Sequence, residues 1–305
     1  MTWVASIPVL CAVLLAAGAA AGVGRRSAPR AGATVLVAAS LTAAVAIDAA
    51  LGVLVGARLL DAAPVASLLR PRPERSGPIP VPVPLSATAA FGLVAVVVAA
   101  GLDLVRSRRT ALLLRATREA SPAGELVVVR SADLVAYALP GDRKRAGQIV
   151  VSDSLLRALE PAERRVVLAH ERSHLRHRHD RYRRLIRIAA RINPLLRPTV
   201  QATDFLLERW ADEDAAREVG SRIVAARALA RAALARSCSR LGHATAGFAT
   251  HDVSTRVNAL LADAPPRAPE LALVLSATLA LGAAVGAAAS VHALAHLFEV
   301  LRGGG

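Results

Sequence analysis

The chain has 305 residues, of which 54% are hydrophobic and 3% aromatic, and it carries a formal net charge of +15. Soluble domains contain a smaller apolar fraction, so the long blocks of Ala, Val and Leu indicate membrane segments rather than a larger core. The charge does not indicate direct nucleic-acid binding, because the basic residues are almost all Arg and lack the interleaved aromatic residues that base stacking requires. A lipid bilayer is therefore the expected partner of the basic surface.

Three apolar runs within residues 1–112 are long enough to cross a bilayer as helices. They cover residues 3–23, 31–60 and 83–105, and a proline-rich connector at 61–82 separates the second run from the third. Positive charges follow the first run instead of preceding it, which favours a membrane anchor over a signal peptide. The sequence therefore predicts a three-helix transmembrane region.

Asp48 interrupts the second run near its middle. An ionised aspartate at mid-membrane costs about 2.5–3.5 kcal/mol on insertion scales, so its side chain is expected to face a neighbouring helix or a water-filled cavity. One interpretation is a proton or sensing site, and the other is a buried polar group bonded to a neighbouring helix.

Residues 113–266 have a mixed charged and apolar pattern that is typical of one soluble domain. Short runs rich in Val and Ala predict strands at 125–130, 134–139 and 149–151. From Ser152 onward the pattern predicts one helix after another.

A fourth apolar run at 271–298, within the terminal region 267–305, predicts a last transmembrane helix. Near its end lie His292, His296 and Glu299, whose side chains are of metal-binding types. A helix end at the membrane interface explains these three residues better than a metal site does.

Basic clusters indicate how the chain is oriented in the membrane. They lie at 25–30 and 106–118, on the same side of a three-span arrangement, and the positive-inside rule makes that side the cytoplasm. The connector at 61–82 also carries three arginines and weakens this argument. We expect the soluble domain to be cytoplasmic in a multi-pass protein of the cell membrane.

The motif HExxH, with histidines at His170 and His174, lies inside a predicted helix. Two histidines four residues apart lie on one helix face, so both imidazoles can reach one zinc ion. Glu171 follows the first histidine and is expected to act as the general base toward water that zinc activates. The alternative is a basic surface helix that happens to be rich in histidine, as His177 and His179 also suggest.

A second predicted helix supplies candidate carboxylates at Glu208, Asp212, Glu213 and Asp214. At 100° per residue, Glu208 and Asp212 share one face, and Glu213 and Asp214 do not. A carboxylate from this helix would complete a three-ligand catalytic site with an open position for water. We assign this role to Glu208, whose side chain is longer, and expect Asp212 to orient a ligand. The alternative is a solvated acidic patch that balances nearby arginines.

These motifs resemble those of the BlaR/MecR-type membrane zinc metallopeptidases and of their relatives, the HtpX-like and CAAX prenyl proteases. The shared features are an apolar strand, a Leu-Leu turn, an HExxH helix followed by basic residues and Asp, and a later ExxxD motif, here Glu208 to Asp212. The Asn193-Pro194 element also looks like that of the BlaR/MecR group. Three predicted spans before the protease domain and one after it match the layout of that group.

The resemblance implies a mostly α membrane protein with four transmembrane helices. A cytoplasmic, zincin-like α+β metalloprotease domain would be inserted between helices three and four. The implied roles are zinc ligation by His170, His174 and Glu208, general base catalysis by Glu171, and orientation of a ligand by Asp212. One departure is that no Ser-x-x-Lys motif of a penicillin-binding sensor follows the fourth run. β-Lactam sensing by this chain is therefore not expected.

Three functions stay open at this point. The first is regulatory cleavage of a cytoplasmic or membrane protein, such as a transcriptional repressor, in signal transduction. The second is HtpX-like quality control of membrane proteins. The third is a non-catalytic receptor or scaffold with structural zinc, against which the presence of Glu171 argues, since structural sites need no base. Candidates for stabilising the oxyanion are Tyr137, His243 and His251.

Overall fold

The structure is a computed structural model that describes residues 28–61, 124–141, 146–239 and 246–263, with single positions between 87 and 105 and between 281 and 288. The run at 3–23, residues 62–82 of the connector and the His292–His296 pair lie outside the described residues. The fourth apolar run is described at single positions only. The predictions for these segments stay predictions.

The described part of the chain is mostly helical with one small mixed sheet, which confirms the mostly α character of the predicted fold. The helices are α1 Pro29–Asp61, α2 Asp153–Ala158, α3 Pro161–Arg176, α4 His179–Ile192, α5 Arg197–Val219, α6 Arg222–Ser239 and α7 Ala246–Leu261. The strands are β1 Leu126–Val129, β2 Ala136–Leu139 and β3 Gln148–Ser152. A 3-10 turn at Pro194–Leu196 joins α4 to α5.

Strand β3 is the middle strand of the sheet, whose order is β1-β3-β2. It pairs in parallel with β1 and antiparallel with β2, and its apolar residues Ile149, Val150 and Val151 are buried. Gly147 precedes the strand, where an added Cβ would lie 2.8 Å from the Leu175 side chain on α3. A glycine here lets the sheet approach the HExxH helix closely.

The residues at the start of helix α3, which carries HExxH, stabilise its first turn. Pro161 occupies its first turn, where a missing N–H costs nothing, and the Glu160 N–H donates to Glu163 Oε2 at 2.9 Å in a capping box. The helix ends at Arg176, and the chain turns through His177 and Arg178. Arg178 has a left-handed backbone, with φ 52 and ψ 49, so that α4 starts directly after α3.

Helix α5, which carries the predicted carboxylates, lies at the centre of the helical layer and packs against α1, α3, α4, α6 and α7. Its fully buried Ala211 and Ala215 are small enough to let α3 approach closely. Ala215 and Ala216 share an apolar cluster with Val166 and Ala169 of α3. Close packing of these two helices is what brings their polar side chains together.

Helix α1 corresponds to the second predicted span. Its 33 residues would extend roughly 50 Å, and the window Pro29–Ala49 is long and apolar enough to cross a membrane. Half of that window is buried by protein, because Ala39 and Ala43 pack against Ala189 and Leu196 next to α4. A second contact joins the start of α1 to α5. The helix is therefore a candidate membrane span that also packs against the helices of the soluble domain.

The described positions between 87 and 105 are helical and apolar. Phe91, Val94 and Val97 are each more than 60% exposed, a surface that suits lipid better than water. A Cβ at Gly92 would lie 3.4 Å from the Leu51 side chain of α1. Among the described residues, α1 is the one helix that meets the length and hydropathy of a span, and the four-span arrangement stays a prediction.

Candidate metal centre

Three side chains from α3 and α5 meet at one point. His170 and His174 place their Nε2 atoms 3.1 Å apart, and Glu208 Oε2 and Oε1 lie 3.4 and 3.5 Å from these two atoms. One ligand atom from each of the three lies within 4.8 Å of the others. The grouping is the one predicted from the sequence, and among the described residues no further side chain joins it.

The charges at this point suit a divalent cation. Burial opposes charge on His170, but hydrogen bonds to Asp212 and Glu208 outweigh it and raise the pKa of His170 to about 10. A proton on His170 thus offsets part of the negative charge of the two carboxylates, and a zinc ion, with two positive charges, would replace that proton. Burial, together with the neighbouring His170, lowers the pKa of His174 to about 2, so that this ring is neutral and able to bind a metal.

Asp212 contacts the first histidine as expected. Its Oδ1 lies 3.0 Å from His170 Nδ1, the ring nitrogen that faces away from the metal-binding group. The same carboxylate accepts two hydrogen bonds of 2.7 Å from Arg256 on α7. Such a contact fixes the tautomer and the orientation of a metal-binding histidine. The orienting role of Asp212 itself stays a prediction, which this geometry supports.

The second histidine has a different partner. His174 Nδ1 lies 2.7 Å from Nδ1 of His179, which is fully buried. Burial and then the charge of Arg183 lower the pKa of His179 to about 3, so this ring is neutral. The interpretation of this stretch as a histidine-rich surface helix is therefore wrong for His174 of α3 and for His179, the first residue of α4, because both lie inside the protein.

Two arginines hold Glu208 in place. Arg183 donates to Oε1 at 2.6 Å and Arg256 lies 3.1 Å from Oε2. Burial would raise the pKa of Glu208, but the hydrogen bond to His170 and the charge of Arg256 keep it well below its usual value. Glu208 is therefore an anion at neutral pH, as a zinc ligand must be.

The remaining predicted carboxylates of α5, Glu213 and Asp214, do not face the metal-binding group, as the helical periodicity predicts. Glu213 pairs with Arg222 of α6. Asp214 accepts a hydrogen bond from Ser173 Oγ at 2.7 Å and lies 2.9 Å from His177 Nε2. The alternative of a solvated acidic patch is wrong for this helix, because Asp212 and Asp214 are buried.

Glu171 is buried on α3 with 8% of its surface exposed, directly beside His170 in sequence. Its role as general base is not tested by this geometry and stays a prediction. Of the oxyanion candidates, Tyr137 is exposed on β2, His251 lies in α7, and His243 lies outside the described residues.

The sequence did not identify three residues around the metal-binding group, namely Arg183, His179 and Arg256. The histidine-rich stretch after HExxH was a signal for His179, but its burial depends on the turn at Arg178. No pattern pointed to Arg256, which follows Glu208 by 48 positions in the chain. Its guanidinium reaches the site only because α7 packs back against α5.

Replacing Arg256 with Gln is expected to lower the free energy of unfolding by about 3–5 kcal/mol, because it removes the arginine that donates two hydrogen bonds to the buried Asp212 carboxylate. Denaturant unfolding of the purified protein measures this change. Arg157→Gln serves as the control, since Arg157 forms an exposed pair with Asp153 and its loss should leave stability close to that of the wild type. Equal effects of the two substitutions would contradict the importance of the buried pair.

The sequence matches the family model described as peptidase family M48 over residues 105–264, about half of the chain. No curated protein and no solved structure shows significant similarity to the chain. The matched segment contains the HExxH helix, Glu208 and Arg256. Zinc is the cofactor of this family, and the His170, His174 and Glu208 group suits it, which confirms the predicted enzyme class. The chain belongs to peptidase family M48 and is a zinc metallopeptidase.

Proposed function

We propose that this metallopeptidase is a membrane-embedded endopeptidase that carries out regulatory cleavage of a cytoplasmic or membrane protein. The observation that supports the proposal is the contact between α1 and two aromatic residues, Trp210 and Tyr182, that lie next to His179. The Arg30 guanidinium lies 5.5 Å from the centre of the Trp210 ring, and Thr34 Oγ1 lies 3.4 Å from the Tyr182 hydroxyl. Trp210 in turn packs against His179, the partner of His174. A movement of α1 would therefore be passed through Trp210 and His179 to His174, a proposed zinc ligand.

In the proposed mechanism, His170, His174 and Glu208 would hold zinc, and Glu171 would act as the base. The Lewis acidity of the bound zinc would activate water and the scissile carbonyl. Glu171 accepts the proton of the attacking water and passes it to the leaving amine nitrogen. Asp212 accepts a hydrogen bond from His170 Nδ1, which keeps the proton on that atom and leaves the lone pair of Nε2 free to bind a metal.

We further propose the BlaR/MecR-like layout, with four spans and a cytoplasmic protease domain. The exposed apolar positions between 87 and 105 support a lipid-facing third helix. A transcriptional repressor is a fitting substrate, because cleavage on the cytoplasmic side would link a membrane signal to gene expression.

The test is a proteome comparison of cells that carry the wild-type chain or Glu171→Gln, with Glu218→Gln as the matched control. Glu218 is a partly exposed residue that pairs with Arg172 and lies outside the proposed catalytic group. Regulatory proteolysis predicts that one or a few proteins accumulate intact with Glu171→Gln only, and that their cleavage sites face the cytoplasm.

The other outcomes would contradict this proposal. Accumulation of many misfolded membrane proteins would favour HtpX-like quality control. Identical proteomes in all three strains would favour a zinc-binding receptor or scaffold. Cleavage sites outside the cytoplasm would show that the orientation is wrong.

A further inference from the structure

We infer that His179 is a positioning residue for the zinc ligand His174. The two Nδ1 atoms lie 2.7 Å apart, and the His179 side chain has no exposed surface. HExxH does not include this residue, which follows the motif across a turn. The inference rests on the zinc site of the proposed function and names the group that fixes its second histidine.

The hydrogen-bond chemistry of the pair determines both tautomers. His174 directs Nε2 toward His170 Nε2 and Glu208 Oε1, so Nε2 is its metal-binding atom. A neutral histidine that binds through Nε2 carries its proton on Nδ1. With a metal bound at Nε2, His174 Nδ1 would therefore donate to His179 Nδ1, and His179 would carry its own proton on Nε2, a buried atom with no hydrogen-bond partner among the described residues. This bond stops the His174 ring from rotating its binding atom away from the group.

The backbone brings His179 to this position through the turn that ends α3. Arg178 has the left-handed conformation, which is uncommon for a residue with a side chain, and it reverses the chain within two residues. The His179 ring then packs against Trp210 with centroids 4.8 Å apart, and Tyr182 meets its edge. The His179 ring, which is the acceptor, is thus positioned by the turn at Arg178 and by its contacts with the Trp210 and Tyr182 rings.

The choice of an imidazole as acceptor affects the charge of the site. His170 is held by the carboxylate of Asp212, whereas His174 is held by a neutral ring. The carboxylates that contact the two histidines, Glu208 and Asp212, pair with Arg183 and Arg256. A carboxylate in the place of His179 would add a further negative charge to those of Glu208, Asp212 and the proposed base Glu171, and added negative charge lowers the Lewis acidity of a bound metal.

The test compares His179→Asn with His179→Leu in the full chain, purified in detergent micelles. Asn and Leu have the same branched shape, and the Asn Oδ1 is as many bonds from the backbone as the His Nδ1, so the two differ mainly in the acceptor. We expect His179→Leu to raise the zinc dissociation constant about 10–100-fold, and His179→Asn to stay close to wild type. Competition with a chromophoric chelator measures the affinity.

A second measurement is the visible absorption of the cobalt-substituted protein, which reports the geometry of the ligands. His179→Leu should shift this spectrum, and His179→Asn should preserve it. His177→Leu is the control, because His177 packs on Trp210 and stacks on the His179 ring but contacts Asp214 and not a proposed zinc ligand, so it alters the ring packing and leaves the His179 acceptor in place. It should leave both readouts unchanged.

Two results would overturn the inference. Wild-type zinc affinity in His179→Leu would show that the acceptor is not needed. Equal losses in His179→Asn and His179→Leu would show that His179 acts by ring packing alone. A wild-type chain that binds no zinc would instead refute the metal site itself, so the two failures are distinguishable.

Discussion

Replacing Glu171 with Gln is expected to lower kcat/KM for protein hydrolysis by about 10²–10⁴-fold, the usual contribution of a general base. Zinc content should stay at the wild-type level, because Glu171 is not one of the three side chains that surround the metal-binding point. The amide has nearly the same shape as the carboxylate but cannot accept the proton. The loss should fall on kcat, since proton transfer occurs in the transition state.

The measurement uses casein cleavage and metal analysis of the full chain in detergent micelles. Glu218→Gln is the control and should retain wild-type activity, since Glu218 is partly exposed and pairs with Arg172 and Arg176. A chelator should abolish wild-type cleavage, and added zinc should restore it. Equal cleavage by Glu171→Gln and wild type would refute the assignment of Glu171 as the base.

Replacing Glu208 with Ala is expected to weaken zinc binding beyond the roughly 10–100-fold loss that is typical of removing an outer hydrogen-bond partner. Glu208 provides the third donor beside both histidines. Its removal also leaves Arg183 and Arg256 facing the metal position without their shared carboxylate, and their positive charges would repel a cation.

Glu213→Ala is a closely matched control, because Glu213 is the same residue type on the same helix but pairs with Arg222. It should keep the wild-type zinc affinity. Equilibrium dialysis of both variants against zinc decides the assignment. Loss of zinc in Glu213→Ala together with retention of zinc in Glu208→Ala would show that Glu208 is not the third ligand.

The parts of the metal centre that follow from helical periodicity could be predicted from the sequence. His170 and His174 are four residues apart on one helix, and Glu208 and Asp212 repeat that spacing on another, so each pair shares a face whatever the rest of the fold does. The strands were likewise predicted to within two residues from their Val-rich and Ala-rich runs. The strand order β1-β3-β2 could not be predicted in this way, because the pairing of β1 with β3 joins strands that are not consecutive in the chain.

The contacts that depend on tertiary packing could not be predicted in this way. His179 meets His174 because Arg178 adopts a left-handed conformation, which the preference of an arginine for right-handed backbone argues against. Arg256 reaches Asp212 from a helix 44 residues further along the chain. The hydropathy of the sequence predicted a long apolar helix in the place of α1, but it could not predict that alanines of this helix would pack on α4.

The packing of α1 limits how this enzyme can be divided for experiments. A fragment that starts at residue 113 would retain the zinc-binding side chains but would lose Ala33 and Leu36, which cover Leu206, Leu207 and Trp210. It would also expose Ala189, Ala190 and Leu196 to water, and such an apolar patch promotes aggregation. Expression as a soluble catalytic fragment should therefore require α1 to be included, and biochemical work is better begun on the full chain in a membrane mimetic.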